Sequence, residues 1–227
     1  MKQGFQSKHG PHSHLQTASV RNMAGRDSIT FETSKLLFDK IFAVIALLLL
    51  LPLFAVVAIS IKATSRGPVF FRQPRIGLNG KEFMIYKFRS MVCHQDEGKN
   101  GLTQATRTDP RVTPCGAFLR RTSIDELPQF INVLLGDMSV VGPRPHAVQH
   151  DRFYSARIKN YRKRHYVKPG ITGWAQIHGL RGETDTVDKM RMRVQYDLHY
   201  LRYRSFWLDL RIVAWTAFKG WSGTNTY

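Results

Sequence analysis

Two neighbouring acids, Asp125 and Glu126, follow a pair of arginines, Arg120 and Arg121, in the stretch TSIDELPQFINVLLGDMSVVGPRP. Ser123 with Glu126 three residues on predicts a capping box opening a helix that ends near Gly136. Leu127, Phe130, Ile131 and Leu134 recur at helical spacing and predict the core face. Asp125, Gln129 and Asn132 form a polar stripe on another face, and Pro128 falls within the first two turns, where its missing donor matters least. Acids in a first turn favour the helix dipole, so Glu126 as a plain cap is one reading. A helix N-terminus also attracts anions, which would place a carboxylate nucleophile beside a phosphate site. Local grammar leaves both readings open.

Other cations have fixed directions. Lys87 and Arg89 stand two apart on one face of a predicted strand, a spacing shared by solvated surfaces and by phosphate sites. Arg144 sits in Gly142-Pro143-Arg144-Pro145, a stiff turn. These groups need elements to hold them. Residues 69–91 alternate apolar and polar side chains around Asn79-Gly80 and predict a β-hairpin, with Pro74 demoting its first strand to an edge. Thr113-Pro114 predicts an N-cap and first helical position for a helix to Arg121. Residues 98–110 read as a loop, 146–164 as a basic surface helix, 168–174 as a glycine-rich turn and 181–184 as a polar loop. Helices are predicted over 186–203 and 205–219. The last carries Phe206, Trp207, Trp215 and Phe218, a composition shared by core helices and helices of a membrane interface.

The chain has 227 residues, a formal charge of +18 and a pI near 10.4. That length supports one sizeable domain, and that charge points to polyanions: nucleic acid, an anionic membrane or phosphorylated small molecules. Cys93 and Cys115 lack metal-ligand spacing and read as reduced thiols. His9, His12 and His14 lie in a polar tail, residues 1–34, read as disordered and basic, and no secretory signal is evident. Residues 41–61 carry no charge and are long enough to enter a hydrocarbon core. Pro52 lies at their centre, and basic residues flank both sides: Lys35 and Lys40 before, Lys62 and Arg66 after. A spanning helix would leave one basic flank outside, so residues 35–64 are read as a re-entrant helix-break-helix broken at Pro52.

Several blocks resemble, in order, the bacterial sugar transferase family: Phe71-Arg72-Gln73, Tyr86-Lys87-Phe88-Arg89-Ser90-Met91, Leu119 to Gln129, Gly136 to Pro145, and Pro169 to Gln176. These are monotopic polyprenyl-phosphate phosphoglycosyl transferases that begin exopolysaccharide synthesis, and the resemblance is to their short form. It implies an α/β fold, mainly helical with a small β-hairpin. A re-entrant anchor would be followed by a cytosolic catalytic domain, residues 65–227, at the bacterial inner membrane. It implies Asp125 as the nucleophile on the β-phosphate of a UDP-sugar, releasing UMP. Glu126 would help hold Mg²⁺. Lys87, Arg89, Arg120 and Arg144 would contact phosphate, and undecaprenyl phosphate would accept the sugar-phosphate. The sugar blocks look most like members moving glucose-1-phosphate, with galactose-1-phosphate next; His178 departs from a frequent Asn. Anionic lipids are expected partners, nucleic acid is not, and a homodimer stays possible. A non-catalytic membrane adaptor would also explain the anchor and basic surface, though not the acidic pair among arginines.

Overall fold

The computed structural model describes residues 26–92 and 109–220. The tail histidines, Cys93 and nearly all of the predicted 98–110 loop lie outside them. The architecture is mainly helical with two small two-stranded sheets. Helix α1 (Arg26–Thr64, 39 residues) begins within the stretch read as a tail and continues through Pro52. The predicted break is therefore not an interruption of the helix. Proline removes one backbone hydrogen bond, and the helix continues on either side of it.

One stripe of α1 faces the domain along its length. Lys35, Asp39, Ala43, Val57 and Ile61 are buried, with Phe42, Leu47, Leu50 and Phe54 packed part-buried between them. The opposite face exposes Leu37, Ile45, Leu48, Leu49, Val56 and Ile59. Polar contacts fix the N-terminal half. Lys35 Nζ lies 2.5 Å from Asp209 Oδ2 and donates to the Val141 carbonyl. Asp39 Oδ1 accepts from Val140 N at 3.0 Å and Ser139 Oγ at 3.1 Å. At the other end Arg89 donates to the carbonyls of Arg66 (2.6 Å) and Ser65 (2.8 Å), and Phe54 meets Phe88 edge-on at 5.0 Å. A single domain thus holds both ends of the apolar helix.

β1 (Phe70–Ile76) and β2 (Glu82–Phe88) pair antiparallel, Phe71 opposite Lys87 and Ile76 opposite Glu82. Asn79 and Gly80 take φ of 55° and 77° in the connection, the left-handed pair for which Asn-Gly is suited. Helix α2 (Pro114–Thr122) starts as expected, with Thr113 Oγ1 accepting from Gly116 N at 2.9 Å. The expected single helix over 123–136 is instead a 3-10 turn, Ile124–Glu126, followed by α3 (Gln129–Leu135). Ser123 makes no capping bond: it sits at φ 59° and closes α2 through its N–H to the Arg120 carbonyl. Gly136 (φ 92°) ends α3 as predicted.

The stripe of Asp125, Gln129 and Asn132 faces inward, all three buried. Asn132 knits α3 to β2, accepting from Tyr86 N (2.9 Å) and donating to the Met84 carbonyl (2.7 Å). Next come β3 (Ser139–Val141) and β4 (Gly170–Thr172), a short parallel pair not expected from the sequence, β4 falling in the segment read as a glycine-rich turn. Between them, the predicted 146–164 helix reduces to α4 (Val148–Ser155) and a 3-10 stretch, Tyr161–Tyr166, separated by Asn160 at φ 65°. That stretch is mostly surface as expected, but Tyr161 and Arg164 turn inward and are buried. α5 (Trp174–Ile177), α6 (Val187–Tyr203) and α7 (Phe206–Gly220) complete the described chain. α7 has one face in the core and large aromatics on the other. Asp209 and Ile212 are buried in the core, whereas Trp207 and Phe218 are 79% and 81% exposed.

Candidate functional site

The 3-10 turn presents its two acids in opposite circumstances. Glu126 accepts two N–H groups on each oxygen: Lys87 Nζ (2.7 Å) and Arg144 Nη2 (2.6 Å) on Oε1, Arg144 Nη1 (3.0 Å) and Arg181 Nη2 (3.1 Å) on Oε2. Burial pushes its carboxyl up, but Arg144, Lys87 and Arg181 outweigh burial and hold it well below the usual range. Asp125 is also buried, yet among the described residues no hydrogen bond reaches its carboxylate. Burial, joined by the Glu126 charge, lifts its pKa to about 6 against the pull of Lys87, Arg144 and Arg120. One acid is a fully engaged anion and the other a desolvated carboxylate still ionised at neutral pH.

Each partner arrives on a different element. Lys87 projects from β2, whose position over α3 is set by the Asn132 bonds to the Tyr86 and Met84 backbone. Arg144 follows β3, in a turn wedged against β4. Gly142 N donates to the Thr172 carbonyl (2.9 Å) and Gly170 N to the Pro143 carbonyl (3.0 Å). A Cβ at Gly170 would lie 2.0 Å from Gly142 N, so side chains at that crossing are excluded. The Gly-Pro-Arg-Pro and Pro-Gly-Ile-Thr-Gly segments are therefore two halves of one support for Arg144.

Of the residues expected to meet phosphate, the structure gathers Lys87 and Arg144 on Glu126. Arg120 is buried at the end of α2, close enough to bias Asp125 electrostatically. Arg89 is turned elsewhere: it is buried, clasping the last carbonyls after α1. Alternation would put the two on one face, but β2 ends at Phe88, so Arg89 lies past the strand and follows a new direction. Arg181 was read only as part of a polar loop. Its signal was an arginine isolated between glycine-rich turns, but nothing local ties it to Glu126. Pro52 lies in α1, exposed on the face away from the domain.

Two adjacent carboxylates, with no thiolate or imidazole beside them among the described residues, suit a hard cation such as Mg²⁺, which takes one or two carboxylates plus phosphate oxygens and water. Among the described residues no group of three or more His, Cys, Asp or Glu could enclose a metal unaided.

Residues 30–223 match the family model described as bacterial sugar transferase. A UDP-glucose:undecaprenyl-phosphate glucose-1-phosphate transferase of Xanthomonas campestris pv. campestris is 57% identical over 189 residues, 83% of this chain and 39% of that protein. The protein of the same name from Escherichia coli K12 is 54% identical over 189 residues, 83% of this chain and 40% of its own. One from Caulobacter vibrioides is 45% identical over 218 residues, 96% of this chain and 80% of its own. The chain spans about two fifths of the length of the first two relatives. Since the matched stretch runs from α1 through Asp125, Glu126 and every cation around them, the chain belongs to the bacterial sugar transferase family.

Proposed function

We propose that the protein transfers a hexose-1-phosphate, glucose-1-phosphate foremost and galactose-1-phosphate next, from a UDP-sugar to undecaprenyl phosphate. The observation that carries this is the split between the acids: among the described residues no hydrogen bond reaches the Asp125 carboxylate, whereas Glu126 is gripped by Lys87, Arg144 and Arg181. In the first step an Asp125 oxygen attacks the β-phosphorus. An O–P bond forms, the bridging P–O bond to the α-phosphate breaks, and UMP leaves with that bond's electrons. In the second, an oxygen of undecaprenyl phosphate attacks the same phosphorus, expels the Asp125 carboxylate and forms a sugar-bearing diphosphate. Lys87, Arg144 and Arg181 offset the repulsion between carboxylate and diphosphate. Mg²⁺, which would be held by Glu126 with phosphate oxygens, supplies further charge neutralisation. Because Glu126 already accepts four N–H groups, it gains a free lone pair once one of its cations turns to a phosphate.

The membrane reading rests on α1. A 39-residue helix is about 58 Å long, well beyond the ~30 Å hydrocarbon core, and one domain holds both its ends. A domain occupies one side of a bilayer, so the chain enters the membrane from one side only, with the exposed apolar face of α1, Pro52 included, in lipid. We place the domain on the cytosolic face of the bacterial inner membrane, where UDP-sugars and basic flanks reside. The relatives' names support glucose as the sugar.

The test is UMP release by detergent-solubilised protein with Mg²⁺ and undecaprenyl phosphate, across UDP-glucose, UDP-galactose and UDP-N-acetyl sugars. Release is expected with UDP-glucose, with ping-pong kinetics, and none from Asp125→Asn. Normal turnover by that variant would sink the nucleophile assignment, and a requirement for both substrates bound together would sink the two-step scheme.

A further inference from the structure

The guanidiniums of Arg144 and Arg181 approach Glu126 from separate segments, and behind each backbone stands a second, buried arginine. Arg164 Nη2 donates to the carbonyl of Arg144 at 2.8 Å. Arg193 Nη2 donates to the carbonyl of Gly182, the residue after Arg181, at 2.6 Å. His146 joins the two: Arg164 Nη1 lies 2.6 Å from its Nδ1 and Arg193 Nη1 3.2 Å from its Nε2. Tyr161 Oη sits 2.9 Å from the same Nδ1. Asp197 Oδ2 accepts from Arg164 Nε at 3.0 Å and Nη2 at 2.7 Å. Arg164 and Asp197 are 2% exposed, Arg193 5% and His146 8%.

Burying two arginines side by side is unfavourable even with Asp197 paired to Arg164, and a core needing only cohesion would be better served by apolar residues. The hydrogen bonds of the cluster run to backbone carbonyls and to one another, so it acts on Glu126 and Asp125 through the segments it holds. Burial, then Arg164 and Arg193, keep His146 neutral, so one ring nitrogen accepts from an arginine while the other carries the proton, and Tyr161 Oη, 2.9 Å from Nδ1 and 3.3 Å from Arg164 Nη1, supplies a second link between the ring and Arg164.

We infer that Arg164, His146 and Arg193 form a bridge that fixes the spacing and aim of Arg144 and Arg181, and so the fit of the anion cleft to a diphosphate. These are positioning residues, and the inference rests on the proposed reading of the site. The bridge spans the two backbone segments whose guanidiniums grip Glu126, which is more than either would receive from its own turn.

A double-mutant cycle tests it on the full chain in detergent. Arg193→Met is expected to lower kcat/KM for UDP-glucose at least tenfold, mainly through KM. In an Arg181→Ala background the same substitution is expected to change it less than twofold, because the residue it positions is gone. Arg193→Lys, which reaches the Gly182 carbonyl but lacks the fork for His146, should recover part of the loss and serves as the cycle partner where Arg193→Met does not fold. A merely structural role predicts equal losses in both backgrounds, and that additivity would overturn the bridge. The cycle is repeated in equilibrium binding of UDP. A wild type that binds UDP but releases no UMP removes the proposed activity, while non-additivity in UDP affinity still upholds the bridge. Absence of UDP binding overturns both.

Discussion

Neighbouring carboxylates with opposite surroundings should respond oppositely to neutralisation. Asp125 titrates at about 6 in the folded chain, against 3.8 for an ordinary aspartate. At about 1.4 kcal/mol for each pH unit of that difference, its ionisation costs the folded state about 3 kcal/mol. The sign follows from linkage: stability from a raised carboxyl is fully present below pH 3.8 and is lost as pH rises through 6. Asp125→Asn removes that penalty. It should stabilise by about 3 kcal/mol at pH 8 and by about half of that at pH 5, a gain of roughly 6–12 °C in Tm at pH 8. Glu126 has a depressed carboxyl, so its contribution is present above 4.5 and is lost as pH falls through its folded pKa. Glu126→Gln leaves Lys87, Arg144 and Arg181 without their anion. Removing one partner of a buried pair costs 3–5 kcal/mol; these cations are 14–23% exposed, so about 3 kcal/mol is expected. Both variants should lose UMP release, one melting higher than wild type and the other lower. The assay is tryptophan-fluorescence melting of the solubilised full chain at one scan rate, from pH 5 to pH 8. Equal signs for the two variants, or an Asp125→Asn gain that does not grow with pH, would refute the electrostatic reasoning.

Three shorter predictions accompany it. Single-turnover UMP release should fall as pH drops through about 6, the Asp125 value, because only the ionised carboxylate attacks; a flat profile down to pH 5 would contradict this. Arg144→Met should lower kcat/KM for UDP-glucose more than a hundredfold, whereas Arg89→Met should lower Tm by several degrees with KM for UDP-glucose nearly unchanged, which steady-state kinetics and melting on both proteins would separate. Gly170→Ala should cost about 3 kcal/mol or more, since its Cβ would meet backbone at 2.0 Å, and should disrupt the placement of Arg144 along with folding, read by melting and UDP affinity.

What could be read along the chain was whatever depends on near neighbours. Asn79-Gly80 encodes its own turn, Thr113-Pro114 its own helix start, Gly136 its own helix stop, and α6 and α7 their own periodicity. The uncharged run of α1 carries its affinity for lipid in its composition. The resemblance to a family added the identity of the acidic pair, which local grammar left as either cap or nucleophile. Ser123→Glu126 capping failed because Ser123 was taken up by the end of α2, a competition that spacing alone does not reveal. The parallel pairing of β3 with β4 was hidden because each strand is three residues long and its partner lies far along the chain. The same distance separates Lys87, Arg144 and Arg181 from Glu126. Sequence thus determined that a carboxylate pair, a set of cations and a lipid-seeking helix exist. Which cations meet Glu126, that Arg89 does not, and that Asp125 is left desolvated came from the folded arrangement, because each depends on backbone pairings between segments with no local rule connecting them.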